Sequence, residues 1–193
     1  NLVHAVFVRS PHAHAKIRAI DTAAARAAPG VLAVYTGEDV AGDKIAGLPC
    51  GWLITSTNGE PMKEPAHPIL AIGKVRHVGD QVVMVIARTS EQAKDAAELV
   101  EVDYEPLPAI ADVRDAQKEG APTVHDEAPD NHCFKWAIGD KDAVDAVFTQ
   151  AAHVTKLDLI NNRLIPNAME PRAAIGCYSR ASDEYTLYVA NQN

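Results

Sequence analysis

The residues with chemistry to offer are eight histidines, three cysteines and an excess of carboxylates. His12 and His14 stand two apart, which would set both imidazoles on one face of a strand. That is two ligands of a zinc-type site, and the neighbourhood spells no third. A plain polar face is the simpler reading. His125-Asp126-Glu127 and His132-Cys133 fall in an aperiodic, Pro- and Asp-containing stretch, where solvated side chains are expected. Cys50, Cys133 and Cys177 are odd in number, far apart and without a CxxC pair, so neither a zinc ribbon nor a dithiol redox motif is available. A reducing, cytoplasmic setting without a disulfide framework is expected. Glu170 sits in Asn167-Ala168-Met169-Glu170-Pro171-Arg172, a polar, Pro-broken stretch between two strand-like runs. It is either one half of a buried ion pair with Arg172 or Arg163, pinning a turn, or an active-site acid. The need of a buried carboxylate for a partner favours the ion pair. Neither GxGxxG nor GxxxxGK[ST] occurs, and GxSxG and HExxH are absent too. The chain spells no self-contained catalytic constellation.

Composition narrows the partners. Among 193 residues, 26 acidic against 18 basic side chains give a formal charge of −8. Non-specific nucleic-acid and anionic-membrane binding both need positive fields, so neither partner is expected. No apolar run approaches the roughly 20 residues of a membrane span, and membrane insertion is not expected. Asn1-Leu2-Val3-His4-Ala5-Val6-Phe7 lacks the basic start, long apolar stretch and cleavage site of a signal peptide. It begins without Met and directly in strand-like sequence, so a piece of a longer chain is expected.

The elements that must position these residues read as a mixture of helix and strand. Val3 to Arg9, Ala15 to Ile20 and Val31 to Thr36 are strand-like, and Ala23 to Ala28 is an Ala-rich helix capped by Asp21 or Thr22 and stopped by Pro29-Gly30. Gly37 to Pro68 carries Gly and Pro without a period and reads as irregular. Gln81 to Ala87 is an almost continuous apolar strand. Thr89 and Gln92 then spell a capping box, and Ala93, Ala96, Ala97 and Val100 follow at helical spacing. Val100 to Tyr104 returns as a strand, closed by Glu105-Pro106-Leu107-Pro108. Residues 117–130 have the composition of a linker. A helix with Val144, Val147, Phe148 and Ala151 on one face follows Gly139-Asp140. Ala152 to Ile160, Ala173 to Tyr178 and Tyr185 to Ala190 alternate as strands.

Taken in order, several of these pieces resemble the large, molybdenum-binding subunit of the molybdenum hydroxylases, the xanthine dehydrogenase and aldehyde oxidase family, and most closely its carbon monoxide dehydrogenase type. They are Leu2 to Ala15 with Arg9-Ser10-Pro11-His12-Ala13-His14, Pro29-Gly30-Val31 with Thr36-Gly37-Glu38-Asp39, Val75-Arg76-His77-Val78-Gly79-Asp80, Val102-Asp103-Tyr104-Glu105-Pro106-Leu107-Pro108, Gly139-Asp140, and Asn162-Arg163 through Met169-Glu170-Pro171-Arg172. Each is weak alone; the ordered set covers nearly the whole chain.

The resemblance implies an α+β fold. Residues 1–116 would be an α/β-hammerhead domain, 117–130 a linker, and 131–193 the first strands and helix of a molybdopterin-binding domain. It implies molybdenum on a molybdopterin cytosine dinucleotide, a small-molecule substrate oxidised with water as oxygen source, and electrons leaving through iron–sulfur and flavin-binding subunits or domains. The family's glycine-rich cofactor loop and catalytic glutamate lie beyond the pieces seen here, so this stretch alone would be inactive. One binding residue carries over: Gln192, in Ala190-Asn191-Gln192-Asn193, matches the glutamine whose amide faces the cofactor, a neutral group able both to donate and to accept. Glu170 lies in a family-like motif without being the family's catalytic acid, and His12 and His14 are not ligands in the family pattern. The reading from a different class is a non-catalytic interaction or scaffold module of a multi-subunit complex.

Overall fold

The computed structural model describes residues 2–161, 164 and 167–190. The chain divides into two compact units, Asn1–Gly139 and Asp140–Asn193.

The first unit is built on two antiparallel three-stranded sheets. In one, β5 (Gln81–Ala87) lies between β1 (His4–Arg9) and β3 (Val31–Thr36), pairing Val6 with Val85 on one side and Val34 with Val85 on the other. A central strand is covered on both faces, which is why Gln81–Ala87 reads as a nearly unbroken apolar run. In the second sheet, β2 (Ala15–Asp21) lies between β4 (Lys74–Val75) and β6 (Glu101–Pro106). Ala15, opposite Val75 and Pro106, turns inward, and Val34, Val75, Val82, Val83 and Val85 are fully buried. Each buried valine contributes about 1.5–3 kcal/mol of transfer free energy.

Small residues let the helices approach. The helix α3 (Ser90–Ala97) buries Ala93 and Ala96 against β1 and β5. Thr89 caps it, its hydroxyl accepting from the Gln92 amide at 3.2 Å. The Gln92 side chain does not complete the expected box. Its carboxamide lies over Gly30, where an added Cβ would stand 2.0 Å from Oε1 and where φ is +81°. The earlier helix α1 (Ala23–Ala27) begins with the Asp21 carboxylate accepting from the Ala23 amide at 2.8 Å.

Two regions depart from the sequence expectation. Inside the stretch read as irregular, α2 (Gly37–Gly42) starts with a full capping box: the Thr36 hydroxyl accepts from the Asp39 amide, and the Thr36 amide donates back to the Asp39 carboxylate at 2.8 Å. Beyond it the chain doubles back as an arm. Leu48 bonds to His67, Cys50 to Glu64, Met62 to Ile54 and Ser56 to Glu60, so the two limbs run antiparallel to a tip at Asn58-Gly59. Prolines and irregular bonding keep it from reading as strand.

The second unit holds α4 (Lys141–Gln150), with the Asp140 carboxylate capping the Ala143 amide at 2.9 Å, and a hairpin of β7 (Ala174–Ser179) and β8 (Glu184–Val189). Tyr178 and Tyr185 face each other across the hairpin with ring centroids 4.7 Å apart. Residues 152–160 are not a strand, although their pattern alternates. A strand needs a hydrogen-bonding neighbour, and none lies beside this run among the described residues.

Candidate functional site

The histidine pair resolves into two structural side chains. Both lie in the bend before β2 rather than on the strand. His14 is buried, and its Nδ1 donates to the Pro108 carbonyl at 2.9 Å, tying the start of β2 to the exit of β6. A carbonyl only accepts, so Nδ1 carries a proton, while Nε2 is buried without a protein partner. His12 turns its ring edge-on to Tyr104, centroids 5.0 Å apart, while Ser10 brackets its backbone. Burial holds the Tyr104 hydroxyl above the ordinary phenol range.

The acidic stretch is more ordered than its composition suggests. Asn131, at φ +54°, closes residues 116–131 into a loop: its Nδ2 donates to the Ala116 and Pro122 carbonyls at 2.9 and 2.8 Å, and its Oδ1 accepts from the Val124 amide at 3.0 Å. Ala128 is buried. This loop is tied to β4 through Lys74. Lys16 and Lys74 are register partners in the β2–β4 pair. Lys74 donates to both Asp126 oxygens at 2.9 and 2.7 Å, and Lys63 to Asp130 at 2.8 Å. Lys16 and Arg18 both pair with Glu105. Half-buried His125 lies among Arg76, His14, Asp126 and Glu127; burial, with Arg76 adding to it, holds its imidazole below the usual range. Lys74 holds the Asp126 carboxyl below the usual range. No local signal in the sequence marks this pairing, because Lys74 and Asp126 stand 52 positions apart.

The other candidates stay separate. Cys133 bonds through its backbone carbonyl to the Lys63 amide, beside a cleft of about 530 Å³ lined by Thr57, Lys63, Asp130, His132 and Lys135. Glu170 and Arg172 are exposed and form no ion pair with each other, which overturns the expected buried pair between them; exposed carboxylate and guanidinium groups are hydrated well enough without one. Arg163 and Gln192 lie outside the described residues. Among the described residues no three His, Cys, Asp or Glu side chains gather as a metal site, and no helix is long and apolar enough to cross a membrane.

Two family models match the chain one after the other. Residues 1–108 match the aldehyde oxidase and xanthine dehydrogenase a/b hammerhead domain, and residues 124–193 a molybdopterin cofactor-binding domain. The chain belongs to the aldehyde oxidase and xanthine dehydrogenase family. It is 35% identical to the carbon monoxide dehydrogenase large chain of Afipia carboxidovorans, over 94% of this chain and 23% of that protein. It is 35% identical to the nicotine 6-hydroxylase large subunit of Paenarthrobacter nicotinovorans, over 98% of this chain and 22% of that one. The crystal structure of a Cu,Mo-CO dehydrogenase in its carbon monoxide reduced state superposes with a TM-score of 0.81 at 33% identity, covering 97% of this chain and 24% of that one. The chain therefore spans about a quarter of the length of these relatives.

The described residues do not form a cradle for a molybdopterin. The glycines whose added Cβ would collide with neighbours, Gly30, Gly37 and Gly47, are crowded by the chain's own atoms, and the orphaned His14 Nε2 has no second donor beside it that would make a ligand set.

Proposed function

We propose that this chain is the opening part of the large catalytic subunit of a molybdenum-dependent hydroxylase or dehydrogenase that oxidises a small substrate with water as oxygen source. The observation that carries the reading is order: a hammerhead match and a molybdopterin-domain match follow one another along a single chain, over nearly all of its length. On this reading residues 1–116 are the hammerhead domain, 117–130 the connection and 131–193 the start of the first molybdopterin-binding domain. The two sheets of the first unit are scaffold, and the reacting groups come from elsewhere in the subunit.

Molybdenum on a pterin cytosine dinucleotide supplies the two-electron oxidation when bound. Gln192 is this chain's own contribution to holding it, through one amide hydrogen bond. Iron–sulfur and flavin-binding subunits or domains take the electrons onward, in the cytoplasm. On this reading the 193-residue stretch alone is inactive, because the catalytic glutamate expected of the family lies outside the pieces that resemble it.

Metal and pterin analysis of the complete encoded subunit, purified with its partners from molybdenum-sufficient cells, tests this. Near-stoichiometric molybdenum on the complete subunit, and none on the isolated 193-residue stretch, is expected. A complete subunit that carries neither metal nor pterin removes the reading and leaves the interaction module in its place. Replacing Gln192 by Ala should lower activity or cofactor retention of the complete enzyme by roughly tenfold, the scale of one hydrogen bond to a charged group.

A further inference from the structure

The arm between α2 and β4 exposes what the rest of the first unit hides. Ile45 at its root and Leu48, Trp52 and Leu53 on its outgoing limb are all more than half exposed, Trp52 at 79%. Trp136 and Ile138 stand out of residues 132–138 in the same way, Trp136 at 59%. Both tryptophans of the chain are thus in solvent. The two places are joined by backbone bonds. The Thr57 amide donates to the Lys135 carbonyl at 2.8 Å, the Lys63 amide to the Cys133 carbonyl at 2.9 Å, and the Lys135 amide to the Ser56 hydroxyl at 3.3 Å. A cleft of about 530 Å³ opens beside these bonds, with Pro61 and Phe134 in its wall. Large apolar side chains left outside an otherwise well-packed unit mark a surface that another surface covers.

We propose that the arm and residues 132–138 form one docking face for the part of the same subunit that follows residue 193. The proposal rests on the reading of this chain as the opening part of a large subunit. Three observations commit it to that occupant. The arm belongs to the hammerhead match, residues 1–108, whereas the segment that pins it belongs to the molybdopterin-domain match, residues 124–193. Backbone bonds therefore already join the arm to the opening of the domain whose continuation is to cover it. The chain spans about a quarter of the length of its relatives, so the same subunit holds ample polypeptide for the task. Charge on the face is nearly balanced: Lys63 and Lys135 stand against Glu60, Glu64 and Asp130. Lys63 is engaged by Asp130 at 2.8 Å, and the Glu64 carboxylate accepts from the Cys50 amide at 3.0 Å. Such a face offers no field to steer an exchangeable partner and has the apolar character of a permanent contact.

Hydroxyl-radical footprinting of the complete encoded subunit without its partners, followed by peptide mass spectrometry at Trp52 and Trp136, reads the face directly. Both side chains should be oxidised roughly fivefold more slowly than in the same subunit unfolded in urea, as water is excluded from a covered surface. Reaction at nearly the unfolded rate overturns the proposal. So does protection that appears only when iron–sulfur or flavin-binding subunits are added, or only in a dimeric fraction, since either puts the cover on another chain. Amine cross-linking from Lys63 and Lys135 then locates the occupant in a mixture of isotopically light and heavy subunits. Links to residues beyond 193 must be wholly light or wholly heavy, and mixed links overturn the proposal. Molybdenum content of the same preparation separates this result from the functional reading. A metal-free subunit with both tryptophans protected removes the functional reading and keeps the docking face. A metal-loaded subunit with both reactive does the reverse.

Discussion

The two units of this chain have similar secondary structure and opposite packing. Asn1–Gly139 closes two sheets over a valine-rich core and reduces Val34, Val82, Val83 and Val85 to no exposure. Asp140–Asn193 forms a capped helix and a registered hairpin, yet every described residue in it is exposed. Val147 keeps 69% of its surface and Leu187 67%. Backbone hydrogen bonds and a cap suffice to define an element, whereas a domain also needs a second apolar layer to lay against it. The lesson concerns what each region's stability depends on. In the first unit it rests on burial, whereas in the second, within this chain of about a quarter of its relatives' length, only local devices act.

Charge placed on matching apolar positions separates the two most sharply. Val85→Asp puts an unpartnered carboxylate between β1 and β3 and should cost about 4 kcal/mol or more, enough to unfold the first unit. Leu187→Asp, in β8, should change the stability of this 193-residue chain by less than about 0.5 kcal/mol. Urea unfolding followed by circular dichroism measures both. Comparable losses would mean that the second unit has a core of its own, and the contrast would be broken.

A second substitution asks how far the first unit's packing extends. Asn131→Ala removes three hydrogen bonds and leaves two carbonyls and one amide of the loop without their partner. A loss of about 2 kcal/mol is expected. It should be accompanied by rapid exchange of residues 116–131. A neutral result would assign those residues to the loosely held part of the chain.

How much of this was legible depends on whether the cause was local. Gln81–Ala87 was legible because a strand buried on both faces spells its burial in consecutive residues, and the β5–α3–β6 sequence followed from it. The helix at Lys141–Gln150 was legible from its stripe, although Val144, Val147 and Phe148 remain exposed, so periodicity reported a face without its partner. Residues 152–160 show the limit of the same signal, since alternation cannot supply a neighbouring strand. The helix after Thr36 carried a usable signal, Thr-Gly-Glu-Asp, with Asp rather than Glu or Gln closing the box. The tie of the 116–131 loop to Lys74 was not legible at all, because Lys74 and Asp126 stand 52 positions apart. Gln192 was available only through resemblance to a family, never through its own surroundings.

Caps sharpen the comparison further, because the same device has different reach in the two units. Thr36→Ala opens the box at α2, which is packed on β3, and should lower global stability by about 1 kcal/mol. Asp140→Ala removes the cap of α4. With no buried face to retain it, that helix should lose signal locally while the unfolding midpoint of the first unit stays where it was. A shared shift of midpoint in both variants would show that the units unfold together.

The smallest expected effect is a pH dependence confined to the first unit. The Thr36 backbone amide and then its hydroxyl hydrogen-bond the Asp39 carboxylate and hold it below the usual range, with Arg26 adding a weaker attraction. A carboxylate easier to ionise in the folded state stabilises that state above its unfolded value of 3.8, and the contribution disappears as pH falls through the lower folded value. Between about pH 5 and about pH 3, the urea midpoint of the unmodified chain should therefore fall more than that of Asp39→Asn, which keeps the shape of the cap and has no charge to lose. The helix of the second unit supplies the control. There Asp140 is the N-cap itself, accepting from the Ala143 amide, and a local cap leaves the first unit's midpoint untouched, so Asp140→Asn should track the unmodified chain across the same range. Equal slopes for Asp39→Asn and the unmodified chain would show that the box at α2 fixes geometry without storing charge-dependent stability.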